Sequence, residues 1–91
     1  MKINRHRVFI KEFNKAKLSD SQFEKFVYYV NCLRINDKLP FEARDHSLNG
    51  EYLDCREFHI GGDMLVIYLL NEDSEVVLLR IGTHSQLFKK Y

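Results

Sequence analysis

The chain has 91 residues and a formal net charge of +1, and 45% of its residues are hydrophobic, 13% are aromatic and one is proline. This length and composition suit a single folded domain over residues 1–91 and argue against disorder. The longest apolar run, residues 64–70, is far shorter than the roughly 20 residues of a membrane-spanning helix. Two cysteines are too few for a disulfide framework and the basic N-terminus leads into no apolar secretory signal, so we expect a soluble cytoplasmic protein.

Helical periodicity dominates the first third of the chain. After a short edge strand expected in the first few residues, Phe9 and Phe13 lie four residues apart, the spacing of one helix face. A second helix is expected to begin at a capping box, in which Ser19 is followed three residues later by Gln22. Its apolar residues recur at helical spacing: Phe23, Phe26, Val27, Val30 and Leu33. Two helices are therefore predicted before residue 40.

The pattern changes to strands after residue 50. Phe58 and Ile60 alternate with Glu57 and His59, which predicts a strand with an apolar face and a polar face. The two glycines of residues 61–63 favour a tight turn at its end, since glycine accepts positive φ freely. The polar pair is expected to face away from the side that packs on the core.

Two further strands follow. Residues 64–70 are apolar at every position, as expected of a central strand covered on both faces. Residues 71–74 turn the chain into a third strand, residues 76–81, on which Val76, Leu78 and Arg80 are expected to share one face. The predicted fold is of the α+β class, with two N-terminal helices packed on a small, mainly antiparallel β-sheet.

Charge is unevenly distributed along the chain. Residues 1–17 carry six basic side chains against the single acid Glu12, a local charge of +5. Residues 41–79 carry nine acidic side chains against two arginines, a local charge of −7, and the last twelve residues return to +3. The basic ends are consistent with an anionic partner and equally with a solvated basic face.

Polar residues of the second half form a chemically suggestive set at predicted strand ends and turns. They are Asp45, His46, Glu57, His59, Asp63, Arg80 and His84. Histidine exchanges protons near neutral pH more readily than any other side chain. A positively charged side chain within an apolar strand must either be paired or point into a site. Histidines, carboxylates and an arginine together suit acid–base catalysis on a phosphate ester.

A metal site is the competing interpretation of the same residues. Cys55, His59 and Asp63 recur at intervals of four, and His84 offers a fourth ligand. Strand residues four apart lie about 13 Å apart, too far to share one ion. We therefore expect neither a metal site nor a small-molecule cofactor.

Three segments resemble the YafQ-type toxins of the RelE/ParE superfamily. Residues 44–50, RDHSLNG, resemble the family element D-H-x-L-x-G, and residues 56–63, REFHIGGD, resemble R-[DE]-x-H-[IVL]-x-x-D. Residues 79–88, LRIGTHSQLF, resemble the ending R-x-G-[TS]-H-x-x-L-F. The three elements occur in the family's order and cover about half of the chain, and the preceding helix pair fits the same fold.

The resemblance implies a cytoplasmic bacterial toxin of a type II toxin–antitoxin system. Such a toxin is an mRNA interferase, a metal-independent endoribonuclease that cuts mRNA on the ribosome, and its partners are mRNA, the ribosome and a small acidic antitoxin. No cofactor is implied. The matched positions implied to be catalytic are His46, His59, Asp63, Arg80 and His84, and those implied to bind substrate are Phe88, Arg80 and Glu57.

These positions suit cleavage in which the RNA's own 2′-OH attacks the adjacent phosphorus. His84 is the candidate general acid on the leaving 5′-oxygen, while His46, His59 and Asp63 remain open as general base. Arg80 would hold the phosphate, because a guanidinium can bind two oxygens at once. Phe88 would stack on a base.

Two other functions remain open at this point. A ParE-like member of the superfamily would inhibit DNA gyrase by binding and would need no histidine site. A small RNA-binding module would use the basic residues 1–17. The three histidines at matched positions favour the nuclease over both, since a protein that only binds gains nothing from them.

Overall fold

The structure, a computed structural model, describes residues 1–88. Its helices and strands are β1 (Lys2–Arg5), α1 (Arg7–Ala16), α2 (Asp20–Arg34), β2 (His46–Ser47), β3 (Arg56–Gly61), β4 (Met64–Asn71), β5 (Glu75–Thr83) and α3 (His84–Leu87). Two single turns of 3-10 helix, Phe41–Ala43 and Gly50–Tyr52, flank β2. None of the helices over residues 1–88 combines the length and apolar character needed to cross a membrane.

The strands form one five-stranded mixed sheet in the order β1-β5-β4-β3-β2. β1 runs parallel to β5, and the other neighbouring strands are antiparallel. β4 is the middle strand, and its residues Leu65, Val66, Ile67 and Tyr68 are buried. The α+β class, the N-terminal edge strand and the doubly covered central strand are all as predicted from the sequence.

The two long helices pack on one face of the sheet through aromatic side chains. The rings of Phe9, Phe13 and Phe26 have centroids 5.3–6.1 Å apart. Phe58 and Ile60 of β3 join this main core, and both are fully buried. Their neighbours Glu57 and His59 consequently point to the opposite face, as the alternation along the strand predicts.

Helix α2 begins at the predicted capping box. The Ser19 hydroxyl accepts from the Gln22 backbone N–H, and the Gln22 side chain accepts from the Ser19 N–H. The same glutamine side chain donates through Nε2 to the carbonyl of Gly61 at 3.0 Å, which ties α2 to the β3–β4 turn. The apolar stripe of α2 is only partly buried, since Phe23 and Val27 are about half exposed.

A bulge in β5 changes the expected position of Arg80. Leu78 lies opposite Tyr68 of β4, whereas Arg80 lies opposite the next residue, Ile67, so that Leu79 is an extra residue in β5. The expectation that Arg80 shares a face with Leu78 is therefore wrong. The extra residue turns Arg80 to the side of Ile67, away from the main core.

The face opposite the long helices carries a second, smaller core. Its buried members are Cys55, Leu65, Ile67 and Leu87. Partly buried side chains from the loops and β5 complete it, among them Tyr52 and Phe88. This second face is where the polar residues of β2, β3 and β5 lie.

Candidate active site

Strand pairing aligns three candidate site residues in one row across the sheet. His46 of β2 lies opposite Glu57 of β3, Glu57 lies opposite Ile67 of β4, and Ile67 lies opposite Arg80 of β5. Paired residues of antiparallel strands project to the same face, and neighbouring strands are about 4.8 Å apart. The backbones of Glu57 and Arg80 are consequently about 10 Å apart, a span that suits a bound nucleotide.

His46, Glu57 and His59 form a compact cluster at one end of this row. One carboxylate oxygen, Glu57 Oε2, lies 3.3 Å from His46 Nε2 and 3.1 Å from His59 Nε2. The two imidazole rings are stacked with centroids 6.0 Å apart. The exposed fraction of the side chain is 51% for His46, 17% for His59 and 5% for Glu57, so His46 covers a buried carboxylate.

Hydrogen-bond partners determine the tautomer of His59. Its Nδ1 lies 3.3 Å from Nη2 of Arg44, and a guanidinium can only donate, so Nδ1 accepts. The proton of neutral His59 is then on Nε2, which donates to Glu57. Burial, reinforced by the positive charge of Arg44, lowers the pKa of His59. His59 is therefore a neutral hydrogen-bond donor to the carboxylate.

His46 has the opposite arrangement. Its Nδ1 lies 2.6 Å from the carbonyl oxygen of Arg44, which can only accept, so Nδ1 carries a proton. Its Nε2 faces Glu57 Oε2, a favourable contact with an ionised carboxylate when Nε2 is protonated too. The other oxygen, Glu57 Oε1, is buried and has no hydrogen-bond partner among residues 1–88. The cluster thus holds a carboxylate oxygen with unused capacity to accept a proton.

Asp45, which precedes His46, anchors the loop that carries this histidine. One of its carboxylate oxygens accepts from Tyr68 Oη at 2.6 Å and from Arg56 Nε at 3.2 Å. Burial, and then the interaction with Asp45, raises the pKa of the Tyr68 phenol. Asp45 therefore has a structural role, because its contacts fix the backbone position of the neighbouring His46.

Arg80 is held from two sides. Its Nε and Nη2 donate to the two carboxylate oxygens of Glu12 on α1, at 2.8 and 2.7 Å, and its Nη1 donates to Tyr52 Oη at 2.7 Å. The Ile81 backbone N–H also donates to Glu12. A guanidinium has five N–H donors, so two remain for a ligand beyond the bonds found within residues 1–88. Arg80 is fixed in orientation and keeps donors for phosphate oxygens.

Helix α3 begins directly at the end of β5. The hydroxyl of Thr83 accepts from the Gln86 N–H, and the Gln86 side chain accepts from the Thr83 N–H, a second capping box. A Cβ at Gly82 would lie 2.9 Å from Gln86 Oε1 and 3.1 Å from Leu87 Cδ2. The glycine between Arg80 and His84 is thus the residue that lets this turn of helix pack against the strand.

His84, the first residue of α3, and Phe88, which follows the helix, pack against each other. Their rings have centroids 4.8 Å apart, and Phe88 makes an edge contact with Tyr52 at 5.7 Å. Tyr52 also accepts a hydrogen bond from Arg80. Tyr52 therefore links Phe88 and His84 to the guanidinium of Arg80. The exposed imidazole of His84 is free of hydrogen-bond partners within the described residues, so it is accessible to a ligand.

Asp63 lies apart from the histidine cluster. It is exposed in the β3–β4 turn, and no side-chain hydrogen bond or ion pair of Asp63 occurs over residues 1–88. Met64, which follows it, pairs with Thr83, which precedes His84. Asp63 and His84 therefore lie at the same end of the sheet, each next to the end of one of two neighbouring strands, β4 and β5.

The structure brings His46, Glu57 and His59 into contact. Arg80 lies in the same row as His46 and Glu57, two strands away from Glu57. Asp63, His84 and Phe88 lie at one end of the sheet. Sequence reasoning missed Arg44, Glu12 and Tyr52. Glu12 was visible as the only acid among residues 1–17, but nothing linked it to a residue 68 positions later. Arg44 and Tyr52 lie in loops without a periodic pattern, so no signal in the sequence indicated their contacts.

The group able to ligate a metal differs from the one considered from the sequence. Cys55 is buried in the second core. Instead, single ligand atoms of His46, Glu57 and His59 all lie within 4.8 Å of one another. Two imidazoles and a carboxylate are a donor set that suits zinc and other first-row transition metals.

The chain matches a known protein family over almost its whole length. Residues 1–89 match the model of a family described as the bacterial toxin of a type II toxin–antitoxin system, YafQ. The chain belongs to the YafQ family. The predicted membership of this family within the RelE/ParE superfamily, and the predicted toxin class, are confirmed.

Similar proteins include toxins and their complexes. An mRNA interferase toxin YafQ of an Escherichia coli B strain is 33% identical over 82 residues, which cover 88% of this chain and 87% of the relative. A copper-bound mutant toxin from Helicobacter pylori is 34% identical with a TM-score of 0.83, covering 97% of this chain and 99% of the other. YafQ in the DinJ–YafQ complex of E. coli is 28% identical with a TM-score of 0.82, covering 96% and 97%. The E. coli YafQ is thus known in a complex with DinJ, and the H. pylori toxin is known with bound copper.

Proposed function

We propose that this YafQ-family toxin is an endoribonuclease that cuts mRNA on translating ribosomes in the cytoplasm. The observation that carries the proposal is the buried carboxylate of Glu57, which contacts His46 and His59. Glu57 also lies in one row of the sheet with Arg80. Glu57 Oε1 is buried and has no hydrogen-bond partner among residues 1–88, which destabilises the fold. A catalytic role for this oxygen would explain why the protein keeps it. The relatives named mRNA interferases support the same activity.

The geometry narrows the choice of general base, the residue that accepts the proton of the 2′-OH. Sequence reasoning left His46, His59 and Asp63 open. Both nitrogens of His59 are engaged, by Arg44 and Glu57, and Nδ1 of His46 is engaged by the carbonyl of Arg44 while its Nε2 faces Glu57. We therefore assign Glu57 as the base: Oε1 accepts the proton of the attacking 2′-OH while Oε2 keeps its hydrogen bond from His59. Substrate reaches Oε1 when the exposed side chain of His46 moves aside.

Charge stabilisation and proton donation complete the reaction. As the 2′-oxygen bonds to phosphorus, negative charge grows on the phosphoryl oxygens, and the two remaining N–H donors of Arg80 together with the imidazole of His46 stabilise it. His84 then gives a proton to the departing 5′-oxygen. The products are a 2′,3′-cyclic phosphate and a 5′-hydroxyl, and Phe88 positions the substrate by stacking on a base.

Cleavage of this kind needs no metal ion. The substrate supplies its own nucleophile, and side chains supply the acid, the base and the positive charge. We therefore propose a metal-independent enzyme of one domain over residues 1–91, without a cofactor. The contacts among His46, Glu57 and His59 favour this function over inhibition of DNA gyrase, for which such a cluster has no use.

The cognate partner is an antitoxin. The relative in the DinJ–YafQ complex has one. The local charge of +5 over residues 1–17 suits a small acidic protein that folds on this surface, with association that is fastest at low salt. The antitoxin is expected to be encoded by a gene next to that of the toxin. This part of the proposal would be contradicted if no neighbouring gene encoded a small acidic protein, or if that protein bound the toxin slowly and at a rate independent of salt.

The deciding experiment is cleavage in a reconstituted translation system. Purified wild-type toxin is added to translating ribosomes and new RNA 5′ ends are mapped, with His84→Gln as the inactive comparison and His6→Asn as a surface control. New ends bearing 5′-hydroxyls, produced by wild type and by His6→Asn alone, support the nuclease. Inhibition of DNA supercoiling by gyrase without new RNA ends would replace it with the binding toxin.

A further inference from the structure

We propose that a groove beside the β2 edge of the sheet binds a nucleotide of the substrate strand on the 5′ side of the cleaved bond, with its base stacked on Phe41. The groove has a volume of about 410 Å³ and is lined by residues 38–41, Arg44, Asp45 and Arg56. Binding of single-stranded RNA stands on the groove itself. Its place 5′ of the cleaved bond rests on the function proposed above.

Phe41 is an aromatic side chain held in water by a rigid turn. At 96% exposed, it is the most exposed large hydrophobic side chain among residues 1–88. The Ala43 N–H donates to the carbonyl of Pro40 and the Arg44 N–H donates to that of Phe41, both at 3.0 Å. Ala43 is fully buried in the main core and anchors the turn. A ring presented in this way is available for stacking, as in proteins that bind single-stranded nucleic acid.

The charge of the groove complements a phosphate backbone. Residues 41–79 carry only two basic side chains, Arg44 and Arg56, and both line the groove. Lys38 adds a third positive charge, and the one acid of the lining, Asp45, is paired with Arg56. Arg44 and Lys38 are exposed, so they can contact phosphate oxygens. A basic groove at the start of the most acidic part of the chain favours a polyanion.

Arg44 joins the groove to the candidate active site. Its side chain lines the groove, while its Nη2 lies 3.3 Å from His59 Nδ1. Its backbone carbonyl lies 2.6 Å from His46 Nδ1. Because both histidines contact Glu57, an RNA strand held at Arg44 leads directly to the proposed general base.

The proposed reaction determines which side of the cleaved bond occupies the groove. Glu57 takes the proton of the 2′-OH, which belongs to the nucleotide 5′ of the bond, and His84 protonates the 5′-oxygen of the next nucleotide. The strand therefore runs from β3 towards β5 and α3 in the 5′-to-3′ direction. Nucleotides further 5′ lie towards the β2 edge, where Arg44 leads into the groove. Phe41 accordingly serves the 5′ side and Phe88 the 3′ side.

An acidic segment of the antitoxin is the competing occupant, and the groove suits RNA better. Glu42 is exposed on the same turn, next to Phe41, and would repel acidic side chains laid along the turn. A nucleobase is uncharged and can lie on the ring while its phosphate contacts Arg44 or Lys38. The connection to the histidines through Arg44 also has a purpose only for a strand that enters the site.

Equilibrium binding of a short 2′-O-methyl RNA tests the groove without cleavage, because this single-stranded probe lacks the attacking 2′-OH. Phe41→Ala should weaken binding roughly 5- to 150-fold, the range of base–aromatic stacking. Phe41→Tyr should keep the affinity, and Phe41→Leu, which is apolar but cannot stack, should lose it. Phe23→Ala truncates a half-exposed phenylalanine of α2 and is the matched control. Thermal unfolding of each variant verifies that it is folded.

Salt dependence tests the phosphate contacts separately. Lys38→Gln should reduce the slope of log affinity against log salt by about 0.7, the loss of one contact to single-stranded RNA. Equal affinity of wild type, Phe41→Ala and Phe41→Leu would overturn the stacking site. Retained affinity in Phe41→Leu with loss in Phe41→Ala would replace stacking by an apolar contact and overturn it too. Weaker binding of the antitoxin by Phe41→Ala, with unchanged RNA affinity, would assign the groove to a protein.

Cleavage on translating ribosomes tests the position on the substrate strand. An abasic nucleotide on the 5′ side of the mapped cleavage site should lower kcat/KM for wild type but not lower it further for Phe41→Ala. An abasic nucleotide on the 3′ side should affect both proteins alike. A cleavage defect of Phe41→Ala that is independent of the mRNA base would indicate ribosomal RNA in the groove and overturn the assignment to the substrate strand. Absence of all cleavage, with weakened oligonucleotide binding by Phe41→Ala, would overturn the proposed function and support the groove.

Discussion

Glu12 and Arg80 form a bidentate pair that joins the first helix to the third long strand, with Nε–Oε1 and Nη2–Oε2 distances of 2.8 and 2.7 Å. The carboxylate raises the pKa of Arg80 above its usual value, so the guanidinium stays charged at any physiological pH. Because Glu12 also accepts from the Ile81 backbone, it fixes the strand and the side chain together. A residue of α1 thereby controls the orientation of the candidate phosphate-binding group.

Glu12→Gln should weaken the enzyme without removing its reactive groups. The glutamine amide has one accepting oxygen, and its NH2 group would face an N–H donor of Arg80, so the bidentate pair is lost and the free energy of unfolding falls by roughly 1–3 kcal/mol. We expect a higher KM and a lower kcat for mRNA cleavage, and a lower unfolding temperature. Glu24→Gln, at an exposed position of α2, is the matched control and should change none of these. If Glu12→Gln lowers the unfolding temperature but leaves kcat and KM unchanged, the role of Glu12 is in stability alone.

Glu57→Gln tests the general base. Glutamine keeps the shape and an oxygen that accepts from His59, but it cannot take up a proton, so cleavage should fall by roughly 10²–10⁴. Single-turnover rates on ribosome-bound mRNA measure this, and Glu51→Gln, exposed in the preceding loop, is the matched control. Cleavage by folded Glu57→Gln at the wild-type rate would exclude Glu57 and return the role to His46 or Asp63.

Local sequence patterns predicted most of the fold. The Ser19–Gln22 spacing located the start of α2, and the alternation around Phe58 assigned Glu57 and His59 to the outer face. Such signals succeed because they depend on neighbours in sequence. The bulge at Leu79 was not predictable in this way, because it depends on pairing with β4 and shifts the face of Arg80.

The candidate site was predicted as a set of residues but not as an arrangement. Motif resemblance identified His46, His59 and His84, because family elements are local stretches of chain. The contact of Glu12 with Arg80 joins residues 68 positions apart, and the tautomer of His59 depends on a loop arginine. Tertiary contacts of this kind leave no periodic pattern in the sequence, so the sequence alone could not predict them.

Stability should fall in mild acid because of His59. Burial and then Arg44 lower its pKa in the folded state below the usual value of 6.5. The unfolded chain therefore binds a proton more readily, and the stabilisation that is fully present above pH 6.5 is lost as the pH falls through the lowered pKa. Unfolding temperatures measured between pH 8 and pH 5 should decrease more steeply for wild type than for His59→Gln. Parallel curves for the two proteins would contradict this assignment.

Chelation should leave cleavage intact. The proposed reaction uses only side chains and the substrate's 2′-OH, so EDTA should not lower the rate of a ribosome-free cleavage assay. Ribosomes are omitted because they need magnesium themselves. The ends should carry a 2′,3′-cyclic or 3′-phosphate and a 5′-hydroxyl. Activity that disappears with EDTA and returns with added metal would show that the metal participates in the reaction.

The last prediction separates proton donation from substrate positioning at His84 and Phe88, whose rings have centroids 4.8 Å apart. His84→Ala should lower kcat by roughly 10²–10⁴ with little change in RNA affinity, because the interaction of His84 with the leaving 5′-oxygen becomes strong only as that oxygen gains negative charge in the transition state. Phe88→Ala should mainly raise KM, since stacking on a base is worth roughly 1–3 kcal/mol.

The two variants are compared on one substrate by single-turnover kinetics and equilibrium binding. A leaving group that needs no protonation distinguishes them further: with a 5′-thio linkage at the scissile bond, His84→Ala should recover most of its rate, because a thiolate departs without an acid. Phe88→Ala should gain nothing from the same substrate. Full cleavage of the normal RNA by folded His84→Ala, or equal rescue of both variants, would remove His84 from the acid role.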